Sequence, residues 1–213
     1  MSFQYLAIDG PTGVGKTAVV ERLAERLDAN KVLEDWSENP FLKPFYDGRG
    51  GAVFQAELFF LLSRYRQQQE LVQRELFQQL TLCDYVFEKS RLYAYLNLDD
   101  SELMIYEKLY GLLNEGVPRP DLVVYLQAPT EILLRRIRER GRPEEKRLSE
   151  EYLAEVNRAY NYFFFHYTQT PLLVVNTTDV DFTDRPEDLD DLIKQIRGMG
   201  KGTQYYVPMT SRG

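Results

Sequence analysis

The chain has 213 residues, 44% hydrophobic and 28% charged, with a formal net charge of −7. That composition excludes a disordered or disulfide-stapled chain and fits one α/β domain over residues 1–213. The acidic balance weighs against nucleic acid as a partner, because phosphate backbones reward a basic surface. There is no apolar run of bilayer-spanning length and no signal-peptide pattern, and a single cysteine, Cys83, agrees with a reducing cytoplasm.

Taken in chain order, the short apolar run Phe3–Ile8 predicts a buried strand, and Asp-Gly-Pro bounds it. Val19, Val20, Leu23 and Leu27 recur at helical spacing, which predicts a helix over Lys16–Leu27. Strands are expected at Lys31–Glu34 and Asp84–Glu88, with a long helix over Ala52–Leu80 between them. Further on, the pattern predicts a helix at Ser101–Asn114, a strand at Leu122–Gln127 and a helix at Thr130–Arg140 with Thr130 as its N-cap. Tyr152–Tyr167 reads as a helix, Leu172–Val175 as a fifth strand and Pro186–Arg197 as a last helix, and the tail after Gly198 has no assignment. Strands alternating with helices imply an α/β fold of the P-loop NTPase type: a five-stranded parallel sheet flanked by helices, with ligands outside the carboxyl ends of the strands.

Gly10-Pro11-Thr12-Gly13-Val14-Gly15-Lys16-Thr17 matches G-x-x-x-x-G-K-[ST] in full, between a predicted strand and a predicted helix. Glycines let the backbone curl around an anion, and the helix that follows presents its positive end to the same charge. Lys16 is suited to the β- and γ-phosphates of ATP and the Thr17 hydroxyl to Mg²⁺. No Asn-Lys-x-Asp segment reads guanine, and the chain is short for a motor ATPase. Arg135, Arg136, Arg138, Arg140 and Arg142 fall within eight positions. Downstream of a phosphate loop such a cluster predicts the arginine-rich lid of a kinase, which meets the transferring phosphoryl oxygens and excludes water. The bland alternative is a solvated helix face paired with Glu131, Glu139 and Glu144.

Two strand-end acids complete the reading. Glu34, on the ligand rim, is suited to take a proton from an acceptor hydroxyl, and Glu88 to hold Mg²⁺. The aromatic run Tyr160–Tyr167 reads as core or interface and Cys83 as a buried small hydrophobe. Trp36 is left open between walling a pocket and capping the core.

These features, with Asn39-Pro-Phe-Leu-Lys-Pro-Phe-Tyr46, Phe54-Gln-Ala-Glu-Leu-Phe-Phe-Leu-Leu-Ser-Arg64, Glu88-Lys-Ser90 and Arg140-Gly-Arg-Pro-Glu-Glu145, form a series that resembles the deoxynucleoside kinase family from Tyr5 to about Val175. The resemblance implies ATP- and Mg²⁺-dependent phosphorylation of a deoxynucleoside 5′-hydroxyl. It makes Glu34 the general base, Tyr46 and Glu145 the 3′-hydroxyl pair, and Arg64 an arginine near the base edge. Glu88 and Lys89 match the family's acidic-Arg-Ser triplet beside Mg²⁺ and the 5′-oxygen, and Arg136, Arg140 and Arg142 match the lid. It also implies a homodimer built through helices beside the sheet.

Three departures bear on the acceptor. Lys89 stands where the family has Arg. Glu57 occupies the place of a base-reading glutamine, seven residues before Arg64, with Gln55 an alternative if the register differs. Ala94 replaces a base-contacting aspartate. An ionised glutamate accepts both N1–H and N2–H of guanine, so deoxyguanosine is the expected acceptor, with deoxyadenosine and deoxycytidine open. The alternatives are a nucleoside monophosphate kinase such as a thymidylate kinase, against which the acidic pair Glu34 and Glu57 argues, and a non-catalytic nucleotide-binding regulator.

Overall fold

The computed structural model describes residues 3–74, 79–143, 145 and 148–208. Its strands are β1 (Tyr5–Asp9), β2 (Asn30–Val32), β3 (Thr81–Cys83), β4 (Leu122–Gln127), β5 (Leu172–Asn176) and β6 (Thr203–Tyr206). They form one parallel sheet in the order β2-β3-β1-β4-β5-β6. The helices are α1 (Lys16–Leu27), α2 (Leu42–Tyr46), α3 (Ala52–Arg74), α4 (Lys89–Asn97), α5 (Asp100–Asn114), α6 (Thr130–Arg140), α7 (Glu150–Phe165) and α8 (Pro186–Gly198).

Strand periodicity divides the core. Leu6, Ile8, Val124, Leu126, Leu173 and Val175 point to one face, against Val19, Val20 and Leu23 of α1, Leu133 and Ile137 of α6 and Leu192 of α8. Ala7, Val123, Tyr125, Leu172 and Val174 point to the other, against Leu92 of α4 and Val156, Tyr160 and Phe164 of α7. Both faces are covered, which is why these strands read as continuous apolar runs rather than alternating ones. Within the aromatic run, Tyr160, Phe164 and Tyr167 are buried, whereas Tyr162 and Phe165 are exposed.

Several expected boundaries are corrected. The sheet has a sixth strand, β6, in the unassigned tail. It is an exposed edge that pairs through its backbone from Thr203 opposite Leu172 to Tyr206 opposite Val175 and carries little apolar pattern. The third strand is Thr81–Cys83, not Asp84–Glu88: after Cys83, paired with Ala7, the chain leaves the sheet, and Glu88 becomes the N-cap of α4. Helix α4 itself was missed. Pro129, not Thr130, is the N-cap of α6, and the Thr130 hydroxyl instead accepts from Asn157. Residues 75–78 of the predicted long helix, and Glu144, lie outside the described residues.

Candidate active site

The carboxyl ends of β1, β2, β3 and β5 open into one cleft of ≈ 1060 Å³. The sheet is wholly parallel, so these strand ends share one rim, and the residues immediately after them face the same space.

The phosphate loop leaves β1 and enters α1. A side chain at Gly13, where φ is +89°, would stand 2.8 Å from the Leu133 carbonyl oxygen, and one at Gly10 would collide with the carbonyl of Leu126. Both positions therefore require glycine. Gly15 is the N-cap of α1 and provides no side-chain cap, so the first N–H groups of the helix remain open to an anion. Lys16 Nζ donates to the carbonyls of Gly10 at 2.7 Å and Pro11 at 3.2 Å. Burial and the nearby charge of Lys89 push its pKa down to about 8. Below the loop, buried Asp9 accepts from Gly10 N at 2.7 Å, Val86 N at 2.9 Å and the Tyr160 hydroxyl at 3.2 Å, which ties the loop to the turn after β3 and to α7.

The acid facing the loop is Asp84. Its Oδ2 accepts from the Thr17 hydroxyl at 2.7 Å and its Oδ1 from Glu34 N at 2.8 Å. Burial and then the Glu34 carboxylate raise its pKa. Glu88, expected to serve a metal, lies away from the cleft and lines a small hollow with Arg119. The reason is that β3 ends five residues before Glu88, so Asp84 occupies the rim. The Thr17 hydroxyl and the Asp84 carboxylate are hard oxygen donors side by side, a set that fits Mg²⁺.

Across the cleft, Glu34 is clamped between two cations. Arg64 Nε donates to its Oε1 at 2.6 Å, and Lys89 Nζ to its Oε2 at 2.5 Å. Burial acts to raise the Glu34 pKa, but the charges of Arg64 and Lys89 prevail and hold it well below the usual carboxylate range. Arg64 comes from α3, where the apolar face of the helix carries it into the interior, and its Nη1 also donates to Ser90 Oγ at 2.8 Å. Ala94 is fully buried among Leu61, Phe87 and Tyr106, so it does not border the cleft; Ser90 is the residue that meets Arg64.

Glu57 lies two helical turns before Arg64 and lines the same cleft, whereas Gln55 is exposed. Glu57 is only 5% exposed. Its Oε1 accepts from Asn97 Nδ2 at 2.7 Å, and among the described residues its Oε2 has no hydrogen-bond partner. Burial raises its pKa to about 7, against the opposing effects of Asn97 and Arg64. Tyr46, Trp36 and Tyr93 complete this end of the cleft.

At the lid, Arg136 donates to the hydroxyl and carbonyl of Thr177, just after β5. Arg140 forks onto Glu145, with Nε at 3.1 Å and Nη2 at 2.5 Å. The Arg142 guanidinium lies 4.7 Å from the centroid of the Trp36 ring, so Trp36 walls the cleft rather than capping the core. Sequence reasoning missed Asp84, Asn97 and Tyr152. The sequence pattern puts Asp84 at the start of the third strand, and the strand in fact ends just before it; the other two carry no local signal.

The deoxynucleoside kinase family model matches residues 6–199. The deoxyguanosine kinase of Bacillus subtilis (strain 168) is 34% identical over 182 residues, 84% of this chain and 88% of that protein. The deoxyadenosine kinase of Dictyostelium discoideum is 34% identical over 194 residues, 89% of this chain and 78% of that protein. The structure of deoxyadenosine kinase from M. mycoides with bound dCTP superposes with a TM-score of 0.78 at 22% identity, over 91% of this chain and 99% of that one, and shares the fold. No helix among the described residues is long and apolar enough to cross a membrane. The chain is a phosphotransferase and belongs to the deoxynucleoside kinase family.

Proposed function

We propose that the chain transfers the γ-phosphoryl group of ATP to the 5′-hydroxyl of a deoxynucleoside, with deoxyguanosine its best acceptor. The observation that carries the acceptor assignment is Glu57, a buried carboxyl group in the cleft with one oxygen that has no hydrogen-bond partner among the described residues. When ionised it offers two acceptors to the N1–H and N2–H of guanine. The two relatives of equal identity differ in their named base, one deoxyguanosine and the other deoxyadenosine, so kinship leaves the choice to the site.

In this reading the loop Gly10–Thr17 cradles the phosphates and Lys16 leaves the carbonyls of Gly10 and Pro11 for the β- and γ-oxygens. Thr17 and Asp84 would hold Mg²⁺, which when bound neutralises charge on those oxygens. Glu34 accepts the hydrogen bond of the 5′-hydroxyl. Clamped by Arg64 and Lys89, it stays ionised, so the proton crosses late, as suits a loose transition state in which the nucleophile needs little activation. Tyr46 and Glu145 hold the 3′-hydroxyl. Arg136, Arg140 and Arg142 meet phosphoryl charge once the lid closes, which requires Arg140 to exchange its pairing with Glu145. Exposed Leu62 of α3 and Met104, Ile105, Leu109 and Leu112 of α5 support a homodimer through these helices.

The test is kcat/KM with ATP and Mg²⁺ for the four deoxynucleosides and their monophosphates. Deoxyguanosine should lead by tenfold or more, on the order expected when buried polar groups are left unmatched. A monophosphate as best acceptor, or any other deoxynucleoside leading, overturns the reading.

A further inference from the structure

We propose that Asn97, held by Tyr152, is a positioning residue that sets which oxygen of Glu57 meets the base, and thereby how strongly guanine is preferred over adenine. The inference rests on the reading of Glu57 as the base-edge group.

Asn97 closes α4 and Tyr152 stands in the first turn of α7, and both line the cleft beside Glu57. The Tyr152 hydroxyl donates to Asn97 Oδ1 at 2.9 Å, and Asn97 Nδ2 donates to Glu57 Oε1 at 2.7 Å. A side-chain amide has one acceptor end and one donor end. With its oxygen engaged by Tyr152, Asn97 can present only N–H to Glu57. The donor favours the carbonyl form of Oε1, which places a proton on Glu57 at Oε2, the atom with no hydrogen-bond partner among the described residues. The relay thus confines the difference between the two protonation states to one atom. Without a proton, Oε2 accepts from guanine; with a proton, it donates to N1 of adenine.

The same relay favours the charged form. The hydrogen bond from Asn97 lowers the Glu57 pKa against the larger effect of burial, which brings it to about 7. The other groups facing Glu57 are Arg64 on α3 and Lys89 on α4, which favour ionisation, and Glu34 after β2, which opposes it. The hydroxyls of Tyr106 on α5 and Tyr152 on α7 are also within its electrostatic reach, and both remain neutral near pH 7 because burial raises their pKa values. The guanine-to-adenine preference should therefore rise with pH through neutrality, and Asn97 should set where.

The experiment is internal competition of deoxyguanosine against deoxyadenosine at pH 6, 7 and 8, with wild type, Asn97→Ala, Tyr152→Phe and Glu57→Gln. Asn97→Ala is expected to lower the deoxyguanosine:deoxyadenosine ratio about tenfold at pH 7, the scale of one hydrogen bond to a charged group, and to move its rise to higher pH. The loss should fall more on KM for deoxyguanosine than on kcat. Tyr152→Phe, which leaves the packing nearly intact, should act in the same direction to a smaller extent, and Glu57→Gln should flatten the pH profile. If Glu57→Gln changes ratio and profile but Asn97→Ala and Tyr152→Phe change neither, the relay is wrong while Glu57 still reads the base. An equal loss for both nucleosides in Asn97→Ala, with an unmoved profile, marks a packing role and overturns the inference. If Glu57→Gln also leaves the ratio and profile untouched, the reading of Glu57 fails and the relay with it.

Discussion

The hydroxyl of Thr17 and the carboxylate of Asp84 meet at 2.7 Å, joining the end of the phosphate loop to the end of β3 across 67 positions of sequence. The other oxygen of Asp84 holds the backbone N–H of Glu34, so one side chain links the phosphate end of the cleft to its acceptor end. Asp84→Asn is expected to lower kcat at least about a hundredfold and to raise the Mg²⁺ concentration needed for half-maximal rate. Glu88→Gln, outside the cleft, should keep the wild-type Mg²⁺ dependence. The reverse pattern in a Mg²⁺ titration would return the metal to Glu88.

Lys16→Ala should abolish transfer, because no other cation in the loop replaces the ammonium at the β- and γ-phosphates. A mutant within about tenfold of wild type, a loss of only about 1.4 kcal/mol in the barrier, would show that the loop does not carry the chemistry.

Glu34→Gln should lower kcat at least about a hundredfold with a smaller change in KM, the usual scale for a lost general base. It also leaves Arg64 and Lys89 without their shared partner, so the melting temperature should fall as well. A full kcat with a raised KM would assign Glu34 to sugar positioning and place the base elsewhere.

Arg140→Ala should slow transfer while equilibrium binding of nucleoside without ATP holds, since in the resting cleft Arg140 is engaged by Glu145 rather than by the base end. Loss of nucleoside binding in that control would assign Arg140 to the acceptor site, acting through Glu145.

Stability without ligand should carry opposite signatures from the two acids. Glu34 has a depressed pKa, so its contribution is complete above the unfolded carboxylate value and is lost as pH falls. Glu57 is raised from 4.5 to about 7, so the folded state holds a proton that the unfolded chain has released, and stability declines as pH rises through that window. Glu57→Gln should therefore gain on wild type between pH 5 and pH 8, by at most about 3 kcal/mol at full ionisation. Denaturant unfolding at the two pH values measures this, and an equal difference at both would mean that Glu57 ionises normally.

The sequence by itself determined the phosphate loop and its setting, because every group it needs lies within eight consecutive residues, although the close approach of Leu126 and Leu133 that demands glycine at Gly10 and Gly13 shows only in the tertiary structure. It also carried the alternation of strand and helix, since apolar periodicity is a local property, and the placing of Glu57 and Arg64 seven apart on one helix face. Only the tertiary structure decided the rest. An apolar run does not say where pairing stops, so Asp84 rather than Glu88 stands at the rim, and β6, which pairs by backbone at an exposed edge, left no pattern to read. Asn97 lies 40 positions from Glu57, and Tyr152 lies 55 positions from Asn97. Contacts of that span arise when helices pack over a sheet, and no spacing within the chain announces them.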